Sequence, residues 1–365
     1  MKTQNYKKFL DDLLGLAIER NASDVHFASH RKPILRIDGI LGVVSELKEV
    51  VSEDIKEILK IMLSQEDGDD RFSKFLQERE IDFSYNFKKL GRFRGNAYFQ
   101  QSRASCSLRF ISQKIRTIEE LDLPSILHLF SKAHQGFVLV TGPSSHGKST
   151  TLAALIDEIN HTRRGHIITI EDPVEYQFKD DLSIVDQREV YTDTLSFARA
   201  LRSTFRQDPD VIMVGEMRDP ETIATAITAA ETGHLVFATL HTNSAAQTIH
   251  RIVDNFEGHR QRQIRAQLSG SLLGIISQRL LPKIGGGLIP AAEIIFNNPA
   301  IANLIRENKI HEIPVVTETS SEEGMISMNK SLAQLVSDGL VEREMAFRYS
   351  LNPDGLKVLL RSKYY

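Results

Sequence analysis

Residues 137–150 read FVLVTGPSSHGKST, an apolar, β-branched run that breaks into a glycine loop and ends in Gly147-Lys148-Ser149 before the last threonine; the helical pattern TTLAALIDEI follows from residue 150. A chain that passes from strand through glycine into helix has few folds open to it. This context marks a phosphate-binding loop in a parallel sheet covered on both faces. The backbone N–H groups of such a loop wrap phosphates, and the helix N-terminus adds partial positive charge. Lys148 is then the counter-charge for the β- and γ-phosphates of ATP, and the Ser149 hydroxyl is a ligand for Mg2+. Gly142, Ser144, Ser145, His146, Gly147 and Thr150 complete the expected cradle. His146 is bulky for this place. Its backbone N–H still serves if the ring points outward, whereas a ring turned inward adds positive charge as pH falls through ~6.5.

Ligands of such sheets bind beyond the carboxyl ends of the strands, so the residues after each apolar run matter most. After HIITI (166–170) come Glu171, Asp172 and Glu175, carboxylates suited to magnesium and water. After VIMV (211–214) comes Gly215-Glu216, and an acid at this place polarises the attacking water. Many ATPases carry Asp where this chain has Gly215, and Asp210 lies at the wrong end of the strand to replace it. Magnesium then relies on Ser149, nucleotide oxygens and water, with an acid from 171–175 as the remaining candidate. After LVFATL (235–240) comes His241, placed to sense the γ-phosphate. His234 precedes the same strand, ~23 Å away, so the two histidines share no metal.

The first third is organised differently. Tyr6, Phe9, Leu10, Leu13, Leu14, Ala17 and Ile18 fall at helical spacing. Short alternating runs follow, with Asp38-Gly39 as a hairpin turn, and Ser52 before Glu53-Asp54 suits a capped helix start. Residues 81–111 read as strands broken near Leu90-Gly91 and Ser102-Arg103. Residues 1–111 thus form a small α+β domain, 112–124 a linker, and 125–365 the domain with the phosphate loop. Charge is balanced, 45 basic against 48 acidic residues, which gives no global argument for nucleic acid. Cys106 is the single cysteine, excluding an intrachain disulfide or a multi-cysteine zinc site, and fits a small core residue in a strand. No apolar run approaches the ~18 residues of a membrane span, and the charged start lacks a signal peptide's apolar segment, so a cytoplasmic setting is expected.

Taken together, GPSSHGKST, ITIEDPVEY, RQDPDVIMVGEMRD and AETGHLVFATLHTNSA resemble the PilT-type retraction ATPases of type IV pili, within the wider class of secretion and pilus motors. SDVHF near the start, RFRGNAYFQ at 92–100, RIVDNF at 251–256 and AIANLIRENKIHEI at 300–313 extend the resemblance over nearly the whole chain. It implies an α/β fold with a PAS-like α+β N-terminal domain followed by a RecA-like P-loop ATPase domain with C-terminal helices, assembled as a homo-hexameric ring. It implies that Glu216 is the catalytic glutamate and Glu175 the acid that positions water or magnesium. Arg94 and Arg109, which by residue type alone are exposed strand arginines, would reach nucleotide phosphates. The partners implied are the pilus machinery and its inner-membrane platform protein, with the chain peripheral to that membrane and retraction (twitching motility) as the work done. Pilus-extending relatives usually carry a longer N-terminal region and a four-cysteine zinc element, neither of which is present.

The chain departs from the resembled pattern at Ser144-Ser145-His146, where Thr-Gly-Ser is usual, at Tyr191, where glycine often stands, and at Ala302, where arginine is usual. Ser145 replaces a residue that takes positive φ freely. In PAIANLIRENK (299–309), Ile301, Leu304 and Ile305 make a buried helical face, while Arg306 and Glu307 lie toward the polar side. By resemblance this helix couples the motor to retraction. Competing readings are a secretion-system ATPase of the same superfamily and a regulatory subunit that binds nucleotide but hydrolyses it weakly. A DNA motor is disfavoured, since no basic stripe is interleaved with aromatics.

Overall fold

The computed structural model describes residues 3–37, 39–64, 71–88, 90–111 and 114–362. The expected turn residue Asp38 and linker residues 112–113 lie outside the described residues. The fold is mixed α/β and divides into two compact units between Lys114 and Ile115.

The first unit holds α1 (Thr3–Glu19), β1 (Asp24–Ala28), β2 (Ile34–Ile37), β3 (Ile40–Val43), α2 (Ser52–Leu63), α3 (Arg71–Glu78), β4 (Glu80–Phe87), β5 (Gly91–Gln100) and β6 (Arg103–Ile111). Among the described residues its strands make one antiparallel sheet in the order β3-β2-β1-β6-β5-β4. The helical spacing of α1 buries Leu10, Leu13, Leu14 and Ala17 in a core shared with Phe27, Tyr85, Phe93 and Leu108. Cys106 sits in that core, as its strand context suggested. Ser52 does not cap α2. The cap residue is Val51, whose N–H donates to Asp54 Oδ2 at 3.2 Å, while Ser52 Oγ accepts from Ala104 N at 3.0 Å.

In the second unit, α4 (His128–Lys132), β7 (Gly136–Thr141), α5 (Lys148–Thr162), β8 (His166–Glu171), β9 (Ile184–Glu189), α6 (Phe197–Thr204) and β10 (Val211–Val214) come first. Then follow α7 (Pro220–Glu231), β11 (Leu235–Leu240), α8 (Ala245–Asp254), α9 (Gly258–Ser271), β12 (Leu272–Pro282) and β13 (Leu288–Phe296). The chain ends with α10 (Pro299–Arg306), α11 (Ile313–Thr319), α12 (Met328–Ser337), α13 (Arg343–Tyr349) and α14 (Pro353–Ser362). Strand order among the described residues is β13-β12-β7-β11-β10-β8-β9, parallel throughout except for β13 on β12. The four runs singled out in the sequence form the centre, while β9, β12 and β13 were not anticipated.

Alternation along the strands sorts their side chains between two helical layers. Phe137, Leu139, Ile212, Val214, Val236 and Ala238 pack toward α7, α8 and α9. Val138, Val140, Val211, Met213, Leu235 and Phe237 pack toward α5, together with Ile118 and Leu123. Both faces of the central strands are therefore covered. A third cluster joins α12, α13 and α14 through Leu332, Ala346 and Leu356 to Leu281 of β12 and Ile289 of β13.

Candidate nucleotide site

Pairing of β7 with β12 stops at Thr141 and Ser277, but β12 runs on to Pro282. The glycine loop lies along this extra length of β12. Gly142 has φ +147°, and a Cβ there would stand 2.3 Å from the Gln278 carbonyl oxygen, so only glycine fits. Gly147 caps α5 at φ +81°, where a Cβ would meet Gln278 Nε2 at 2.7 Å. The buried Gln278 amide ties the loop to its helix: Oε1 accepts from Thr151 Oγ1 at 2.6 Å, and Nε2 donates to the His146 carbonyl at 2.9 Å. Nothing in the sequence marked Gln278. Ser145 takes φ +65°, the left-handed conformation that costs a non-glycine residue ~1 kcal/mol. The serine therefore keeps the backbone shape that glycine would allow.

His146 turns neither outward to solvent nor inward to the cradle, which corrects the sequence-based expectation. Its Nδ1 accepts from Leu280 N at 2.9 Å, and its ring meets the Tyr349 ring edge-on at 6.2 Å between centroids. The partners come from β12 and α13, elements whose approach the local sequence does not reveal. Thr150 Oγ1 lies 2.9 Å from Tyr176 OH, and Ser149 is exposed on the first turn of α5.

Lys148 is 7% exposed, and its Nζ donates to the carbonyls of Gly142 and Pro143, both at 2.9 Å. Burial lowers its pKa, opposed by the charges of Glu216 and Glu175. His241, one residue past β11, places Nδ1 3.3 Å from both Lys148 Nζ and Ser144 Oγ. Its Nε2 faces Glu216 Oε1 at 3.4 Å. The other Glu216 oxygen accepts from Arg218 Nη2 at 2.8 Å, a partner that sequence reasoning passed over although it lies two residues away. Burial pushes the Glu216 carboxyl up, but Arg218, His241 and Lys148 outweigh it and hold the pKa below the ordinary value. His241 is lowered by burial and by Lys148, against the pull of Glu216.

Gly215 has a packing reason. A Cβ there would stand 3.1 Å from the Ile170 carbonyl and 3.3 Å from Glu171 Cα, so an aspartate would crowd the end of β8. Glu171 itself is buried, accepting from Thr169 Oγ1 at 2.7 Å, Gln187 Nε2 at 3.1 Å and Glu175 N at 3.3 Å. Burial pushes its pKa up to about 7 against those bonds. Asp172 and Glu175 are half-buried beside it. Asp210 lies at the far strand end and accepts from His166 N at 2.8 Å, and His234 Nδ1 contacts the Ala229 carbonyl at 2.9 Å.

Arg94 and Arg109 belong to the first unit. There they are directly opposed across β5 and β6, and Arg109 is in turn opposed to Asp24, which pairs with Arg36. Arg109 Nε donates to Asp24 Oδ1 at 2.9 Å, and Arg36 Nε lies 3.9 Å from Asp24 Oδ2. Opposed residues on neighbouring strands share a face, so three guanidinium groups and a single carboxylate line up across the sheet. Arg36 was not anticipated.

A family model described as "Type II/IV secretion system protein" matches residues 2–323. The chain is 44% identical over 337 residues to the "Type IV pilus retractation ATPase PilT" of Pseudomonas aeruginosa, covering 92% of this chain and 96% of that relative. It is 44% identical over 325 residues to a "Twitching motility protein" of Neisseria gonorrhoeae, covering 89% and 86%. A solved structure described as "Crystal Structure of the Pilus Retraction Motor PilT and Bound ADP" aligns with a TM-score of 0.86 at 45% identity, covering 95% of this chain and 98% of that one.

Proposed function

Because this chain belongs to the type II/IV secretion system protein family, we propose that it is an ATP hydrolase that drives retraction of a type IV pilus. The observation that carries this is the convergence of Lys148, His241 and Glu216 at the ends of β7, β11 and β10, in a chain similar over nearly its full length to pilus retraction ATPases. The loop N–H groups and the α5 N-terminus hold the phosphates, and Lys148 gives up its carbonyl contacts to meet the β- and γ-oxygens. Glu216, ionised at neutral pH, polarises the attacking water. His241 and Ser144 stand where the γ-phosphate is sensed.

Magnesium, when bound with the nucleotide, would supply charge neutralisation. Among the described residues no group of three or more His, Cys, Asp or Glu could hold a metal ion alone. The exposed Ser149 hydroxyl would hold it, and the half-buried Glu175 would orient a nearby water.

The first unit, ending at Lys114, is read as PAS-like and the second, beginning at Ile115, as RecA-like, so that much of the expected linker 112–124 belongs to the second unit. The antiparallel sheet under helices and the parallel sheet with its phosphate loop support this. Six copies form a ring in which Arg94 and Arg109 of one copy serve the nucleotide of its neighbour. The support is their side-by-side placement, directly opposed across β5 and β6. The ring works on the cytoplasmic side with the inner-membrane platform protein of the pilus machinery. Among the described residues no helix is long and apolar enough to cross a membrane.

Deletion of the gene should stop pilus retraction, with rescue by the parent chain and not by Lys148→Ala. Retraction unchanged by the deletion overturns the pilus assignment while leaving ATP hydrolysis to be measured separately.

A further inference from the structure

Residue 146 is held to β12 at two points and to α13 at a third. The carbonyl accepts from Gln278 Nε2, the imidazole Nδ1 accepts from Leu280 N–H, and the ring edge meets Tyr349. The Leu280 N–H is available because β7 has already ended opposite Ser277, and Leu280 is opposed on its other side by Pro290. A short polar side chain at 146 would make no contact with Tyr349, so the histidine adds a link between the phosphate loop and the C-terminal helices.

That link continues on the far side. Tyr349 is the last residue of α13, and its carbonyl accepts from Arg279 Nη1 at 2.9 Å. Arg279 precedes Leu280, so both partners of the histidine are fixed to one short stretch of β12. α13 in turn packs with α12 and α14 as one apolar cluster through Ala346, Leu332 and Leu356. A displacement of these helices therefore moves Tyr349 and must strain or release the loop at residue 146.

We infer that His146 is a positioning residue through which the C-terminal helices set how tightly the phosphate loop holds adenine nucleotide. The inference rests on the nucleotide reading above. It acts through loop order, because a loop already held in shape loses less conformational freedom when phosphates bind. Only a neutral ring with its proton on Nε2 can accept from Leu280 N–H. The charged and titratable groups facing the ring are Arg279 from β12, Lys148 from α5 and Tyr349 from α13. Burial, then Arg279 and Lys148, lower the histidine's pKa and keep it neutral. Acid that protonates Nδ1 breaks the bond, so affinity falls as pH falls, the reverse of what a ring turned toward the phosphates would give.

The test is binding of fluorescent ADP to the full chain, for the parent, His146→Ala, His146→Asn and Tyr349→Ala. The asparagine amide oxygen lies where Nδ1 lies and can accept from Leu280 N–H. One lost hydrogen bond predicts about threefold to tenfold weaker binding for His146→Ala, and near-parental binding for His146→Asn. Tyr349→Ala should weaken binding in the same direction, with turnover at saturating ATP falling less than affinity. As pH is taken below the ordinary imidazole value of ~6.5, the parent should lose affinity that His146→Asn keeps. His146→Ala binding as tightly as the parent, or His146→Asn no better than His146→Ala, overturns the inference. A parent that fails to bind ADP at all overturns the nucleotide reading and the inference with it.

Discussion

His241 bridges Lys148 and Glu216 with one imidazole: Nδ1 lies 3.3 Å from Lys148 Nζ, and Nε2 faces Glu216 Oε1 at 3.4 Å. An ammonium group only donates, so Nδ1 accepts and the ring proton sits on Nε2, toward the carboxylate. The lysine proposed to meet the γ-phosphate and the glutamate proposed to act on water thus contact the same imidazole. His241→Ala removes one charge-assisted contact and should lower turnover roughly tenfold to a hundredfold. Nucleotide affinity should change much less. Phosphate release measured against ATP concentration separates the two, and an equal loss in both would make His241 a binding residue.

Arg94→Ala and Arg109→Ala should each lower ATP turnover by up to ~10³-fold, as expected for groups that meet a neighbour's transferring phosphate. Neither should unfold the chain. Arg109 is 58% exposed in its pair with Asp24, and such surface pairs contribute no more than ~1 kcal/mol. Turnover and thermal melts of the same samples check this, together with activity against protein concentration. Full activity in a strictly monomeric species contradicts the ring.

Glu171 gives the parent a pH-dependent stability. Its folded-state pKa of about 7 lies above the unfolded value, so the folded chain holds the proton more tightly. The stabilisation is full below the unfolded value of ~4.3 and is lost as pH rises toward the folded value. Glu171→Gln cannot ionise and should remove that component, on the order of 3 kcal/mol, from the decline between about pH 4 and 7. Thermal melts across this range test it, and parallel pH curves for parent and variant would contradict it.

Arg306→Ala should impair pilus retraction more than ATP turnover. α10 is capped by Asn298, whose side chain accepts from Ile301 N at 2.9 Å, and it buries Ile301, Leu304 and Ile305. Leu304 is only 8% exposed, so Leu304→Ala would mix a folding defect into the result, whereas Arg306 is exposed and leaves the core intact. Phosphate release from purified protein and retraction in cells carrying the substitution are compared. Equal losses would mean that the helix supports the fold alone.

The centre of the second sheet was legible because a strand buried on both faces is a short, uninterrupted apolar run, and each of the four ends at glycine, an acid or histidine. β9, IVDQRE, is an edge strand whose polar residues hide it. β12, LLGIISQRLLP, follows α9 with no turn between them and carries Gly274, Ser277, Gln278 and Arg279 within its length. β13 contains Pro290 and Glu293, which interrupt the apolar pattern. Missing β12 left His146 unplaceable, because its partners Gln278 and Leu280 lie 132 and 134 residues away in sequence. Gly215 was readable as a departure, but its cause, the approach of Ile170 and Glu171 on the neighbouring strand, is tertiary. The pairing of Arg94 with Arg109 is likewise a matter of register between β5 and β6, which no local pattern specifies.

Phosphate release from purified full-length protein, parent against Glu216→Ala, with ATP binding measured on the same samples, bears most directly on the site. The parent should release phosphate only with Mg2+ present. Glu216→Ala should bind ATP nearly as the parent does while losing about a hundredfold or more of turnover, as the proposed role of the glutamate on water rather than on the nucleotide requires. Lys148→Ala, by contrast, should lose binding as well. A Glu216→Ala protein that keeps most of the parental turnover would contradict the placement of the attacking water at Glu216, and with it the hydrolytic site at the ends of β7, β10 and β11.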